Sequence, residues 1–273
     1  MQRGSVTETP AETYAALLQR AEGDPAILAF WLGGSRGMGR PTEFSDYDVG
    51  IIVADDAYAP FCRELGFEGP FRADWRPGVD LMVRTFPMFD AFAAWGTDEA
   101  PYRYAFAHLK ALVDKTGRAQ ALIDAKACVP TESVPDLIDA SLDHALNQAY
   151  RALKCLRDGD PAASRLEAVE AINPFLDAAF ALHGGRLRPY FKYLRWELDA
   201  FPLDRLPFDG PALMDRLAAV MTPGGGVVLS GLLAAAQATF RAGGHGPVFD
   251  GWGEKLEWIL SWRPAGDLAG TYP

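Results

Sequence analysis

Three aspartates and one glycine turn are the residues of this chain whose types and spacing could do chemistry. Gly33-Gly34-Ser35-Arg36-Gly37-Met38-Gly39 follows directly on the apolar run 26–32. A glycine turn lets the backbone approach a ligand closely and presents N–H groups to it; a helix opening just behind would add its positive end. Ser35 could donate its hydroxyl to a phosphate oxygen. Thr42 and Ser45 then lead into Asp46-Tyr47-Asp48, with Val49-Gly50-Ile51-Ile52-Val53 behind them. At i and i+2 of a strand start, Asp46 and Asp48 point to one face. Two carboxylates that close repel unless a cation lies between them. Oxygen ligands of this kind suit Mg²⁺, which completes its shell with phosphate oxygens and water. Asp80 stands early in a further apolar run, 79–85, and on an adjacent strand it would complete the cluster. Two ions ~3.5–4 Å apart would then clamp the attacking and departing oxygens of an in-line displacement at phosphorus.

These side chains need a sheet to hold them, and the pattern around them supplies one. Thr9 or Thr7 caps a first helix with Pro10 in its first turn, and Tyr14, Leu17, Leu18 and Ala21 recur at helical spacing. Buried strands are expected at 26–32, 47–53, 79–85 and 108–113. A helix is expected near 57–65 and an aromatic helical segment around 88–95. Past Pro130 the period changes. Leu137, Ile138, Leu142, Ala145, Ala149, Leu153 and Leu156 repeat every three to four residues, and a helix over 162–183 carries Leu166, Val169, Ile172, Leu176 and Ala179. Further helices are expected at 189–200, 211–221, 227–242 and 252–262. The fold class is therefore an α/β domain, a mixed sheet with flanking helices, over residues 1–125, followed by an all-α helical bundle over 126–273.

The composition fits that division. The chain has 273 residues, enough for two modest domains, and its 49% hydrophobic and 23% charged residues exclude a disordered or fibrous chain. The formal charge is -10, from 36 acidic against 26 basic residues. So acidic a surface argues against a polynucleotide partner and suits cations, whether metal ions or a cationic small molecule. Cys62, Cys128 and Cys155 have no metal-site spacing and read as reduced thiols. No apolar run reaches the ~20 residues of a membrane span, and the N-terminus has no signal-peptide core. The expected setting is cytoplasmic.

The glycine turn, the Asp-x-Asp and the later lone Asp resemble the signature of the polymerase-beta-type nucleotidyltransferase superfamily. Gly34, Ser35, Asp46, Asp48 and Asp80 match it position by position. The small bacterial antibiotic nucleotidyltransferases, of the aminoglycoside and lincosamide type, are the nearer resemblance. Those often read Gly-Ser-x-Ala-Arg-Gly; here Gly37-Met38-Gly39 stands instead, so Arg36 or Arg40 must substitute for the missing arginine. The resemblance covers roughly residues 26–85. It implies an adenylyltransferase that moves AMP from ATP, or another nucleoside monophosphate from its triphosphate, to a hydroxyl of a small molecule, for example an aminoglycoside-like antibiotic. Two Mg²⁺ ions would be held by Asp46, Asp48 and Asp80, and the triphosphate by Gly34, Ser35, Arg36 and Ser45. A second expectation keeps the chemistry and changes the acceptor to a protein or a tRNA end; a third is a non-catalytic, antitoxin-like binding module. The oligomeric state stays open between monomer and homodimer.

In the helical half, Glu170, Asn173 and Asp177 share a stripe at i, i+3 and i+7 of one helix. In the resembling enzymes a helical-domain Glu often serves as base, which implies Glu170 here, with Glu167 next. A helical-domain lysine contacts nucleotide in them, which implies Lys192, in the basic and aromatic stretch 188–197. Trp252, Trp258 and Trp262 read as core packing for a terminal helix.

Overall fold

The computed structural model describes residues 8–66 and 68–263; Thr7, the alternative helix cap, lies outside them. The chain divides into two compact units after Cys128.

The first unit opens with α1 (Pro10–Gly23). Its N-terminus is closed by a capping box in which Thr9 and Glu12 satisfy each other's backbone N–H groups. Five strands follow: β1 (Ile27–Leu32), β2 (Tyr47–Val53), β3 (Phe71–Arg76), β4 (Val79–Arg84) and β5 (Ala111–Asp114). They form one mixed sheet in the order β3-β4-β2-β1-β5. The β2–β4 pair is parallel; the pairs β1–β2, β1–β5 and β3–β4 are antiparallel. The helices of this unit are α2 (Gly34–Gly37), α3 (Tyr58–Leu65), α4 (Phe86–Ala91) and α5 (Arg118–Lys126), with a 3-10 segment at Ala100–Phe106.

Both faces of the central strands are covered, which is why they read as unbroken apolar runs. Phe30, Val49, Ile51, Val53, Leu81 and Val83 pack with Leu17 and Ala21 of α1 and Phe61 of α3. Ala29, Trp31 and Ile52 turn the other way, against Phe86, Phe89, Phe106, Ala119 and Ile123. Trp31 lies directly opposite Gly50 in the β1–β2 register. A Cβ on Gly50 would enter the Trp31 indole, so the bare Cα makes the room in which the indole is buried.

Two boundaries differ from the sequence expectation for identifiable reasons. β5 begins at Ala111 and not at 108, because His108 takes a left-handed φ of 66° that no extended run tolerates. β3 has no counterpart among the expected strands, although Phe71, Ala73 and Trp75 alternate with Arg72, Asp74 and Arg76 at the strand period; on this edge strand only Trp75 is buried. The aromatic segment is helical only to Ala91. Beyond it, Lys126 Nζ donates to the carbonyls of Asp90 and Phe92 at 2.9 and 2.6 Å, and burial pushes its pKa down. Buried Arg103 donates to the carbonyls of Ala93, Ala125 and Cys128.

The second unit is built of α6 (Val134–Arg157), α7 (Pro161–Glu170), α8 (Ile172–Leu182), α9 (Phe191–Ala200), α10 (Gly210–Val220), α11 (Gly225–Phe240), α12 (Gly246–Asp250) and α13 (Glu254–Ser261). The long α6 packs on α7, α8 and α11 around a core that includes Leu142, Leu146, Phe175, Phe180 and Phe240. Trp252, Trp258 and Trp262 lie partly buried against that core. The single helix expected over 162–183 is two. Pro174 has no N–H to give the carbonyl of Glu170, and its ring crowds that carbonyl, so the helix stops and restarts at Ala171. Among the described residues no helix is long and apolar enough to cross a membrane.

Gly50→Ala is expected to lower stability by about 1–3 kcal/mol, the usual cost of forcing extra volume into a packed core. Urea unfolding checks it. An unchanged midpoint would show that Trp31 has free room to move.

Candidate active site

The strand topology brings three chain segments to one edge of the sheet. β1 ends at Leu32, opposite Val49 near the start of antiparallel β2. β2 and β4 run parallel with Asp48 paired to Asp80. Side chains alternate along a strand, so Asp46, Asp48 and Asp80 share a face while Val49 and Leu81 go to the core behind it. Asp46, Asp48 and Asp80 each bring a carboxylate oxygen within 4.8 Å of the others. Asp48 and Asp80 are half-buried and Asp46 is exposed. Like charges this close disfavour each other, and a cation between them would relieve the repulsion. The donor set is oxygen only, which fits a hard divalent ion such as Mg²⁺ and not zinc.

Backbone contacts fix the positions of Asp48 and Asp80. The Gly33 N–H donates to the Asp48 carbonyl at 2.6 Å, which docks the glycine turn on β2. Gly34 has a φ of +55° and lies so close that a Cβ on it would collide with the Asp48 carboxylate. Glycine is needed there twice over, for the backbone angle and for the space. The short α2 opens on this residue. Asp80 Oδ1 accepts the backbone N–H of Asp74 at 2.8 Å.

The polar residues of the turn face one another. Ser35 Oγ donates to Ser45 Oγ at 2.8 Å, and Ser45 Oγ also accepts the Thr42 N–H at 2.8 Å. A triphosphate taken up by Ser35 would have to displace Ser45 as its acceptor. Arg36 spans the loop. Its Nε donates to the carbonyls of Ser45 and Asp46, both at 3.0 Å, and Nη2 to that of Ser45 at 2.8 Å. Its guanidinium lies 4.1 Å from the Tyr47 ring centroid. Arg36 therefore clamps the peptide on either side of Asp46.

Gly34, Ser35, Arg36, Ser45, Asp46, Asp48 and Asp80 thus come together in the first unit. Glu170 and Lys192 belong to the second. Glu170 is the exposed last residue of α7. The stripe expected to join it to Asn173 and Asp177 is broken by the restart at Ala171. Burial pushes the Asp177 carboxyl up, against the pull of Arg188, whose Nε it accepts at 2.8 Å. Glu167 is ion-paired to Arg151 at 2.6 Å. Lys192 is exposed on α9, with Nζ 4.8 Å from the Tyr193 ring centroid. The Asp74 N–H had no signal of its own, because a backbone contact made by a bulge is not written in residue types; the alternation of Phe71, Ala73 and Trp75 and the Pro77-Gly78 turn were the local hints of a hairpin strand.

No family model matches the chain, and no curated protein matches it. Among solved structures the chain is similar to a nucleotidyltransferase-like protein from Exiguobacterium sibiricum 255-15. The two are 12% identical with a TM-score of 0.45, over 91% of this chain and 85% of that one.

Gly34→Ala is expected to swing the Asp48 carboxylate aside and, on the function proposed below, to lower turnover by about 100-fold, the scale of an ångström-sized misplacement. Far-UV circular dichroism should stay native. Full turnover in this variant would show that Asp48 has other room to occupy.

Proposed function

We propose that this protein is a divalent-metal-dependent nucleotidyltransferase. It moves a nucleoside monophosphate, most simply AMP from ATP, to a hydroxyl of a small molecule and releases pyrophosphate. The observation that carries the reading is the register of β2 on β4, which sets Asp48 opposite Asp80 with Asp46 two residues away, beside a glycine turn. Three clustered carboxylates beside a glycine turn are what a metal-bound polyphosphate requires.

In this reading Asp46 and Asp48 would hold both of two Mg²⁺ ions and Asp80 one of them. The ions, when bound, neutralise the triphosphate and stabilise the departing pyrophosphate. The Gly34–Ser35 turn receives the triphosphate through its backbone and the Ser35 and Ser45 hydroxyls. Arg36 keeps Asp46 in place by gripping the carbonyls on either side. The acceptor oxygen bonds to the α-phosphorus in line with the bond to the pyrophosphate oxygen, which breaks. Glu170 is our candidate for taking the acceptor's proton, and Lys192 for neutralising the triphosphate. Positioning and charge neutralisation supply most of the rate, as in phosphoryl transfer generally. The charge of -10 favours a cationic acceptor, of which an aminoglycoside-like antibiotic is the simplest example.

Asp46→Asn and Asp48→Asn should each abolish metal-dependent pyrophosphate release from a nucleoside triphosphate in a panel of antibiotic and metabolite acceptors. The fold should persist, since both residues lie at the rim of the sheet. Full activity in both variants would remove the metal assignment.

A further inference from the structure

Asp74 occupies a conformation that is rare among residues with a side chain, in the middle of an edge strand. Its φ is 46°, in the left-handed region. Among side-chain-bearing residues, Asp and Asn are the ones that visit that region most readily. The β3–β4 register explains how it arises. Phe71 pairs with Met82, Arg72 with Leu81 and Arg76 with Val79, with a shift between Arg72 and Arg76. Ala73, Asp74 and Trp75 therefore face a single residue of β4, and that residue is Asp80. The bulge is pinned from the other side: Trp75 is buried, its Nε1 donates to the Leu65 carbonyl at 2.8 Å, and Arg76 stacks 4.4 Å from its ring centroid. With Trp75 fixed inward, the surplus length of β3 is taken up at Asp74. The result is a peptide turned so that its N–H meets Asp80 Oδ1 at 2.8 Å.

Bulges re-aim groups next to active sites. A carboxylate that must share a divalent ion with two others gains from having one oxygen tied and its rotation stopped, as outer partners of metal ligands generally do. We propose that Asp74 is a positioning residue for the metal centre. Its left-handed peptide, and not its carboxylate, ties one oxygen of Asp80 and leaves the other for the cation. Asp is there because the position asks for a left-handed residue. The inference rests on the reading of Asp80 as a metal ligand.

The test is Mn²⁺ titration of the full-length protein, followed by the electron paramagnetic resonance of the free ion, without nucleotide. Asp80→Asn should weaken binding and so verify the ligand. Asp74→Gly and Asp74→Asn keep the left-handed peptide and should bind within about twofold of wild type, whereas Asp74→Val should bind about tenfold more weakly, the lower range for outer-shell partners. Circular dichroism establishes that each variant is folded. Should Asp74→Val fail to fold, Asp74→Ala replaces it, and amide exchange at residue 74 adds an independent readout: slow in wild type, fast in Asp80→Ala. A folded Asp74→Val with wild-type affinity overturns the inference. So does equal weakening in Asp74→Gly, Asp74→Asn and Asp74→Val, which would assign the effect to the carboxylate. Unchanged affinity in Asp80→Asn overturns the ligand reading itself, and loss in Asp80→Asn with none in Asp74→Val overturns only the role of Asp74.

Discussion

The site depends on the parallel pairing of β2 with β4. Register in a sheet is set wherever one face is buried, because a slip of one residue would move every apolar side chain to the wrong side. Val49, Ile51 and Val53 on β2 and Leu81 and Val83 on β4 are all in the core. Their burial fixes the register, and the register places Asp48 beside Asp80. The same hydrophobic effect that folds the domain therefore forces two negative charges together. Neither residue can leave without moving a strand whose far end is buried on both faces.

That arrangement stores repulsion, and the surroundings show how it is contained. The protein grips the backbone around the carboxylates. Gly33 docks on the Asp48 carbonyl, Arg36 holds the carbonyls of Ser45 and Asp46, and Asp74 gives its N–H to Asp80. Such contacts fix where the carboxylates stand. In the proposed function a divalent cation would complete the balance.

Much of this was legible because the chemistry and the core share one pattern. The strand at 47–53 was readable from its unbroken apolar run, and Asp46 and Asp48 from standing at its start. Asp80 was readable because a carboxylate between Val79 and Leu81 is out of place in a buried strand. What was hidden lay where the signal is short. β3 offers only the alternation of Phe71, Ala73 and Trp75, on an edge strand that buries Trp75 alone, and its bulge leaves no mark in residue types. Arg36 was read for its charge as a phosphate contact, and the structure adds the carbonyls it grips, which only tertiary geometry displays. The break at Ala171 was legible in Pro174 but masked by the continuous apolar spacing on either side.

The central claim is that this edge of the sheet binds a metal-bound nucleoside triphosphate. Calorimetric titration of the intact protein with a non-hydrolysable ATP analogue, with and without Mg²⁺, tests it most directly. The account predicts saturable binding with Mg²⁺ and little or none after chelation. Binding of equal strength without any divalent cation, or no binding of any nucleoside triphosphate analogue in its presence, would contradict it.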